Sequence, residues 1–310
     1  MKYLVTGSAG FIGSALAGKL LNLGHEVVGV DCYLPNLYSE HTKQKRTKEL
    51  LAFEKYEFIE HDLRDHFPIQ LLDDCAAVFN LAAMAGLAPS WNDFDTYVGC
   101  NLSATNNLLA ALSTKPKIRL IHASTSSVYG DIQNGDESAE LQPISPYGVT
   151  KLAAENLIQS YARKGGLNYI NLRLFSVYGP DQRIDMAYSR IISAIYNQET
   201  VQIFGTGAQS RSNTYIDDVV EAFILAEKSL LRNETLNICG DEEISLLQFV
   251  EMASEKIKIS PEIEFGPVRA GDQRVTKGDN SKAKKLLGWN PKVDFSQGID
   301  LQISAFLKDL

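Results

Sequence analysis

The chain has 310 residues, of which 45% are hydrophobic and 22% charged, a composition typical of a folded globular protein rather than a disordered or fibrous one. This length suits one large domain or two modest ones. A formal net charge of -8 disfavours general binding to nucleic acid or to an anionic bilayer, because both require clustered lysine and arginine. We therefore expect neither nucleic acid nor a membrane among the partners.

The cysteines favour a reducing compartment. Cys32, Cys75, Cys100 and Cys239 are far apart and form no CxxC pair, so the sequence suggests neither a disulfide framework nor a zinc site. The chain opens with the apolar run KYLVTG and shows no charged leader, long apolar segment or small-residue cleavage site. We expect a cytoplasmic protein without an export signal or a membrane span.

Apolar runs alternate with segments of helical period along the first 175 residues. The runs predict strands at residues 2–7, 26–31, 56–62, 76–83, 118–124 and 168–175. Helical spacing relates two apolar sets, namely Ile12, Leu16, Leu20 and Leu23, and Ala154, Leu157, Ile158 and Tyr161. Strands that are apolar throughout and separated by helices predict a parallel sheet covered on both faces, which is a Rossmann-type doubly wound α/β fold.

The alternation becomes less regular after about residue 176. A helix is predicted near residues 186–197, and Ser245 and Gln248 have the spacing of a capping box at the start of another. A further helix is predicted to end at Gly288. We predict a Rossmann domain over residues 1–175, rejoined by about 212–240, and a smaller C-terminal α/β lobe over 176–310.

Three glycines follow the first predicted strand in VTGSAGFIGS, at positions 7, 10 and 13. Glycines there let the backbone turn sharply and let a pyrophosphate approach the amides at the start of the helix near Phe11. Asp31 closes the second strand, where a carboxylate accepts hydrogen bonds from the ribose hydroxyls of an adenosine and repels a 2′-phosphate. This arrangement predicts NAD rather than NADP. A glycine-rich turn without a ligand is the alternative for the triplet alone.

The segment SPYGVTK carries the predicted chemistry. Tyr147 and Lys151 are four residues apart, so on a helix they share one face. The ammonium of Lys151 can there stabilise a phenolate on Tyr147, which can act as a base near neutral pH. A surface pair on an amphipathic helix is the alternative. The pair follows the fifth predicted strand and the loop ASTSSVYG, at the edge where a parallel sheet carries its ligand crevice.

Nine stretches together resemble the extended short-chain dehydrogenase/reductase family, specifically its NAD-dependent nucleotide-sugar epimerases and dehydratases. They follow the order found in the family and are TGSAGFIGS, HDLRD, NLAAMAG, ASTSSVYG, SPYGVTK, LRLFSVYGP, SRSNTYIDDVVEA, VRAGD and DNSKAKKLLGWNP. The resemblance covers nearly the whole chain. It implies that the Rossmann domain binds NAD and that the smaller lobe binds a nucleotide sugar.

The resemblance also implies a role for individual residues. The catalytic residues would be Thr125, Tyr147 and Lys151. The NAD site would comprise Gly7, Gly10, Phe11, Ile12, Gly13, Asp31, Asp62, Leu63, Leu81, Ala82, Ala83, Tyr147 and Lys151. The nucleotide sugar would meet Ser126, Ser127, Ser176, Arg183, Arg211, Arg269 and Asp272. Bidentate guanidinium groups suit phosphate oxygens, although a lone arginine outside a family pattern is usually a solvated surface charge.

The residue two positions after Thr125 predicts the type of reaction. The family's 4,6-dehydratases and decarboxylating xylose synthases place an acidic residue there, which moves a proton at sugar carbon 5. This chain has Ser127 instead. We therefore predict oxidation and re-reduction at carbon 4, in which Tyr147 takes the proton of the 4-hydroxyl through Thr125 and NAD carries the hydride. The 4-keto sugar then rotates and accepts the hydride on its other face, which yields the epimer.

The identity of the sugar rests on one loop. GPDQRIDMAY, which contains Arg183, resembles the loop of UDP-glucuronate 4-epimerases, and the Thr-Ser-Ser run at 125–127 agrees with that subgroup. Ala88 departs from it, because the subgroup usually has an arginine there. We predict conversion of UDP-glucuronate to UDP-galacturonate. The alternatives are epimerisation of UDP-glucose or UDP-N-acetylglucosamine, a dehydratase or reductase, and a nucleotide-binding module without turnover.

The sequence predicts no metal site, and the resemblance predicts a dimer. The five histidines are scattered without ligand spacing, so no metal site is expected and each histidine is given a structural or solvated role. Asn80, at the end of the fourth strand, is likewise given a structural role. The resemblance implies a homodimer in which the helix carrying Tyr147 and the long helix near residues 93–113 form a four-helix interface.

Overall fold

A computed structural model describes residues 1–35, 37–131, 135–268 and 273–308. The strands are β1 (Lys2–Thr6), β2 (Glu26–Asp31), β3 (Tyr56–Glu60), β4 (Cys75–Asn80), β5 (Arg119–Thr125), β6 (Tyr169–Leu174), β7 (Ser176–Tyr178), β8 (Val201–Phe204), β9 (Ser210–Tyr215), β10 (Glu234–Ile238), β11 (Glu243–Ser245), β12 (Ile263–Gly266) and β13 (Val275–Thr276). The α-helices are α1 (Phe11–Asn22), α2 (Glu40–Leu50), α3 (Phe94–Tyr97), α4 (Ala104–Leu112), α5 (Pro146–Gly165), α6 (Ala187–Tyr196), α7 (Ile216–Lys228), α8 (Leu246–Ile257), α9 (Ser281–Leu287) and α10 (Phe295–Lys308). Short 3₁₀ helices cover Ile69–Leu72, Ala88–Trp91 and Ser126–Val128, and a π-helix at Val98–Ser103 joins α3 to α4.

Seven parallel strands form the central sheet, in the order β10-β6-β5-β4-β1-β2-β3. The strand order reverses between β1 and β4, which is where ligands bind in sheets of this kind. In the register of the sheet, Thr6 lies opposite both Val30 and Asn80, so the carboxyl ends of β1, β2 and β4 meet at one edge. The predicted doubly wound parallel sheet is confirmed. The predicted fourth strand is too long, because after Asn80 the chain turns across the end of β1, where the Ala82 amide donates to the Thr6 hydroxyl.

Both faces of the central sheet are covered. On β1, Tyr3 and Val5 pack into one core cluster and Leu4 into the other, as expected when successive side chains point to opposite faces. Leu16 on α1 is fully buried, as its helical spacing predicts. Leu23 is 47% exposed, contrary to the prediction, because α1 ends at Asn22 and Leu23 caps its C-terminus beyond the buried face.

The later half of the chain builds smaller sheets and also returns to the large one. Strands β11, β9 and β13 pair side by side, β7 pairs with β9, and β8 pairs with β12. Strand β10 adds to the edge of the large sheet beside β6. The predicted capping box is confirmed at α8, where Ser245 and Gln248 exchange hydrogen bonds. Gly288 ends α9 in the left-handed conformation, with φ of 65°, as predicted.

Candidate active site

The glycine loop between β1 and α1 brings the backbone close to its neighbours. Gly7 has φ of 69°, and a Cβ atom there would lie 2.8 Å from the Ala82 nitrogen. A Cβ atom on Gly13 would lie 2.1 Å from the Gly7 carbonyl oxygen, so only glycine lets α1 start this close to the loop. Gly10 caps α1 and has no side chain, which leaves the first amides of Phe11 and Ile12 free of a side-chain cap. A helix start of this kind suits a phosphate.

Asp31 is oriented by two backbone amides at the end of β2. Its Oδ2 accepts from the Ala9 amide at 3.2 Å and its Oδ1 accepts from the Tyr33 amide at 2.9 Å. Each carboxylate oxygen has a further lone pair that can accept a hydroxyl proton. The carboxylate therefore lies against the glycine loop, where the adenosine ribose of a dinucleotide would bind.

The other residues proposed for the NAD site are arranged along the same edge. Leu81 and Ala82 are half-buried and Ala83 is exposed, directly after β4. Asp62 pairs bidentately with Arg64, whose guanidinium lowers the pKa of the Asp62 carboxyl. Leu63 is only 6% exposed and its side chain packs into the core on the α4 side. This stretch can meet an adenine ring chiefly through its backbone and through Asp62.

Three hydroxyl groups lie together at the carboxyl end of β5. Thr125, Ser126 and Ser127 are each 7% exposed. The Thr125 hydroxyl donates to Ser127 Oγ at 3.2 Å and accepts from the Ser127 amide at 3.1 Å. A Cβ atom on Gly148 would lie 2.5 Å from the Ser127 carbonyl oxygen. Glycine at position 148 therefore lets the start of α5 approach residues 125–127 closely.

Tyr147 lies on the first turn of α5, with its phenol beside the Thr125 side chain. Burial raises the pKa of Tyr147, whereas Thr125 and the charge of Arg183 lower it. The ring packs edge-on against Tyr97, with 6.2 Å between centroids. The phenol of Tyr97 is in turn held by the carbonyl oxygens of residues 85 and 86. The structure thus brings Thr125 and Tyr147 together, as the sequence predicts.

Lys151 lies one turn along α5 from Tyr147, and its amine contacts β5. Nζ donates to the Ala123 carbonyl at 2.7 Å and lies 3.3 Å from Nε2 of His122. Burial lowers the pKa of Lys151 to about 8, and the charge of Glu155 opposes that shift. Two polar atoms of β5 thus hold the buried amine, and its action on the Tyr147 phenol stays a prediction.

A cavity of about 560 Å³ opens between α6 and the smaller sheets. Ser176 and Arg211 both line it, together with Gln182, Tyr188 and Asn213. The guanidinium of Arg211 donates to the carbonyl oxygens of residues 210 and 273, which orients it at the cavity wall. Arg269 and Asp272, the other two residues proposed for this region, lie outside the described residues.

Arg183 lies between Gln182 and Ile184 in the sequence, two residues that line the cavity. It pairs bidentately with Asp185, with contacts of 2.9 and 2.6 Å, and its side chain is 13% exposed. Burial lowers and the Asp185 carboxylate raises the pKa of Arg183, with a net rise. The guanidinium lies 5.5 Å from the centroid of the Tyr38 ring. Arg183 is thus a well-oriented cation whose charge also acts on Tyr147.

Several residues at this edge were not predicted to take part in the site. Arg46 is buried, lies over the Tyr38 ring, and donates to the carbonyl oxygens of residues 9 and 181, so it ties the glycine loop to the loop that carries Arg183. Asn101, in the π-helix, binds both backbone polar groups of Met84. These contacts join positions far apart in the chain, and no local sequence signal marks them. The π-helical insertion is a feature often found near functional sites.

The described part of the chain lacks two features. No group of three or more histidine, cysteine, aspartate or glutamate residues there is arranged to hold a metal ion. No helix among these residues is both long and apolar enough to cross a bilayer.

A parallel sheet with a glycine loop, an acidic residue closing β2, and a Thr-Tyr pair at the sheet edge defines a nucleotide-dependent enzyme of the Rossmann class. The chain belongs to the extended short-chain dehydrogenase/reductase family. Its residues 4–302 match the sequence profile described as GDP-mannose 4,6 dehydratase.

Known relatives match over essentially the full length. An uncharacterised UDP-glucose epimerase of Bacillus subtilis is 40% identical, covering 100% of this chain and 99% of the relative. A UDP-glucuronate 4-epimerase of Thermodesulfobacterium geofontis is 37% identical, covering 96% of this chain and 93% of the relative. The crystal structure of UDP-glucuronic acid 4-epimerase from Bacillus cereus, in complex with UDP-glucuronic acid and NAD, superposes with a TM-score of 0.96 at 36% identity and covers 100% of both chains.

Proposed function

We propose that the protein is an NAD-dependent 4-epimerase that converts UDP-glucuronate to UDP-galacturonate through a transient 4-keto sugar. The observation that carries this proposal is the hydroxyl cluster of Thr125, Ser126 and Ser127 beside the phenol of Tyr147, with a serine where a dehydratase of this family has an acid. The full-length likeness to the Bacillus cereus enzyme supports the same activity and the same cofactor. The neutral residue at 127 leaves no carboxylate there to act at carbon 5.

The residues present fit NAD. The uncapped start of α1 offers amides to the diphosphate, and the close packing of Gly7 and Gly13 leaves no room for a side chain in the loop. The two free lone pairs on Asp31 suit a ribose diol and not a 2′-phosphate. Bound NAD supplies the hydride acceptor and, later, the hydride donor.

Tyr147 and Thr125 would move the proton. The Thr125 side chain lies beside the phenol, so a sugar hydroxyl that contacts Thr125 can pass its proton through the Thr125 hydroxyl to Tyr147. Burial raises the pKa of Tyr147, which means that the phenolate needs a nearby positive charge near neutral pH. Lys151, one turn further along α5, and Arg183 are the candidates for that charge.

The cavity beside α6 would hold the nucleotide diphosphate. Arg211 is one of the cations at its wall, and Ser176 and Gln182 add polar groups. Arg183 would meet either the diphosphate or the carboxylate of the sugar, because it adjoins Gln182 at the cavity wall and its charge acts on Tyr147. We include Arg269 and Asp272 in the proposal on the family resemblance alone.

A neutral sugar is the second candidate substrate. The subgroup that acts on UDP-glucuronate usually has an arginine where this chain has Ala88, and the relative from Bacillus subtilis is named for UDP-glucose. Ala88 begins a short 3₁₀ helix after β4, close to the loop that supports Tyr97. A methyl group there offers no charge to a sugar carboxylate.

Direct assay of the purified protein tests both candidates. UDP-glucuronate, UDP-glucose and UDP-N-acetylglucosamine are incubated separately, and the configuration at carbon 4 is followed by proton NMR. We expect epimerisation of UDP-glucuronate with no change in mass. Turnover of the neutral sugars alone would refute the proposed substrate, and a product that has lost water or CO₂ would refute the proposed reaction.

A matched pair of variants tests Tyr147. Tyr147→Phe should retain NAD binding and lose at least about 100-fold in kcat, the scale of a general base. Tyr161→Phe, on the same helix α5, removes one hydrogen bond to Asn106 and should keep wild-type turnover. Equal turnover in both variants would remove Tyr147 from the mechanism.

We also propose the division into an NAD-binding domain over residues 1–175, rejoined by about 212–240, and a nucleotide-sugar lobe over 176–310. The membership of β10 in the large sheet and the separate pairing of β7, β9, β11 and β13 support it. Limited proteolysis with and without NAD tests it, since the cofactor should protect the first domain selectively.

A homodimer in the cytoplasm completes the proposal. Trp91, Phe94 and Val149 are each about half exposed on or next to the helices that the resemblance places at a four-helix interface. All four cysteines, which lie in the described part of the chain, carry free thiols, in keeping with a reducing compartment. Light scattering of the wild type and of Val149→Lys tests the dimer, because a buried lysine should shift the mass to that of a monomer.

A further inference from the structure

A chain of four buried side chains runs under the active site from β1 to α5. The Thr6 hydroxyl donates to Asn80 Oδ1 at 2.7 Å, and Asn80 Nδ2 lies 3.1 Å from Nδ1 of His122. Nε2 of His122 lies 3.3 Å from the amine of Lys151. None of the four residues is more than 3% exposed. Polar groups this deeply buried must satisfy one another, since water does not reach them.

The donors and acceptors of this hydrogen-bond chain indicate which ring nitrogen of His122 is protonated and whether Lys151 is charged. Asn80 presents its amide protons to His122, so Nδ1 of His122 accepts and the proton of a neutral imidazole is on Nε2. Nε2–H then points at the amine of Lys151. An ammonium group has three donors and no acceptor, whereas an uncharged amine has a lone pair. The arrangement in the structure therefore matches an uncharged Lys151.

The opposite arrangement suits the ammonium. If the Asn80 side-chain amide flips, its oxygen accepts from Nδ1–H of His122. Nε2 of His122 then accepts from the ammonium of Lys151. The imidazole stays neutral, because one proton enters at Nζ and the ring proton moves from Nε2 to Nδ1. Thr6 then accepts from the amide group instead of donating to it.

We propose that Asn80 and His122 are positioning residues for Lys151, and that their hydrogen-bond chain has two arrangements, each matched to one charge state of the Lys151 amine. The consequence for catalysis rests on the proposed function. In the first arrangement the amine is held against β5 and is uncharged, and in the second an ammonium is available to the Tyr147 phenolate. Asn80 and His122 therefore help to set the pH at which the enzyme loses that cation.

The surrounding charges are consistent with this proposal. Burial and the nearby Lys151 lower the pKa of His122 well below its usual range, so the ring is neutral in both arrangements. Glu155, one turn further along α5, raises the pKa of Lys151 and is itself paired with Arg173. Tyr147 is the remaining titratable group on the same face of the helix.

Nitrogen NMR of histidine-labelled protein tests the proposal without substrate or cofactor. The chain has five histidines, and the signals of His122 are assigned by their loss in His122→Gln. In the wild type we expect the ring proton on Nε2 above about pH 8 and on Nδ1 below it, following the pKa of Lys151. In Lys151→Met the ring proton should stay on one nitrogen at every pH. A wild-type ring that keeps one tautomer between pH 6 and 10, or the same transition in Lys151→Met, would overturn the proposal.

Asn80→Asp tests the link to activity. A carboxylate at position 80 can only accept hydrogen bonds, so it should hold the proton of the His122 ring on Nδ1 at every pH. This state of His122 favours the ammonium form of Lys151. We expect the alkaline limb of kcat/KM to move up by about one pH unit relative to the wild type. An unchanged or lowered limb in a folded Asn80→Asp protein would contradict the assigned role. If this variant fails to fold, the comparison of wild type and Lys151→Met still decides the question. Because that measurement needs no turnover, its failure is distinct from a failure of the proposed epimerase activity.

Discussion

Replacing Arg173 with methionine tests how the protein keeps the Glu155 carboxylate of α5 buried. Arg173 on β6 pairs bidentately with Glu155 on α5, at 3.0 and 2.7 Å, and the side chains are 4% and 0% exposed. Ser124 also donates to Glu155, and Arg173 donates to the Tyr129 hydroxyl at 2.9 Å. Methionine keeps most of the arginine stem but leaves the carboxylate without its cation.

The expected cost follows from that burial. Removing one partner of a buried ion pair costs about 3–5 kcal/mol, because the remaining charge cannot be solvated. An exposed pair is worth about 0–1 kcal/mol. The pair between Lys115 and Asp73, with side chains 39% and 54% exposed, supplies the matched control. Lys115→Met should therefore leave the free energy of unfolding close to that of the wild type.

Urea unfolding followed by circular dichroism measures both variants, with the free energy taken by linear extrapolation. A double variant, Glu155→Leu with Arg173→Met, removes the charge as well as the cation. It should be more stable than Arg173→Met alone, with a coupling energy of at least about 1 kcal/mol between the two sites. The argument fails if Arg173→Met costs no more than Lys115→Met, or if the effects at positions 155 and 173 simply add.

Three further predictions concern the glycine loop, Lys151 and a helix cap. Gly13→Ala should weaken NAD binding at least about tenfold, because the new Cβ would lie 2.1 Å from the Gly7 carbonyl oxygen and force the loop apart. Calorimetric titration measures the affinity, and an unchanged affinity for NAD would refute this prediction. Burial lowers the pKa of Lys151 to about 8, so kcat/KM should fall as the pH rises through about 8 and the ammonium is lost. A pH profile of kcat/KM that stays flat to about pH 10 would exclude a role for the Lys151 ammonium in stabilising the Tyr147 phenolate. Ser245→Ala should cost about 1 kcal/mol in urea unfolding by removing the cap that bonds the Gln248 amide, and a loss below a few tenths of a kcal/mol would show the cap to be unimportant.

Local patterns in the sequence were sufficient for the elements and for much of the site. The Ser245 cap and the Gly288 terminus were predicted correctly, because caps depend on residues a few positions apart. The placement of Thr125 beside Tyr147 was implied by the family resemblance rather than by local spacing. Strand ends were less accurate, since the position where a strand leaves its ladder depends on the neighbouring strand.

The sequence by itself determined the doubly wound sheet, the glycine loop with Asp31, and the helix that carries Tyr147, because each depends on residue types at short spacing. Only the tertiary structure decided where the amine of Lys151 points. Its partners come from β5, and His122 is in turn held by Asn80 on β4, 42 positions earlier in the chain. That contact depends on β4 and β5 lying side by side in register. The charge and direction of a buried amine are therefore set by groups that strand order brings together, which no local pattern reveals.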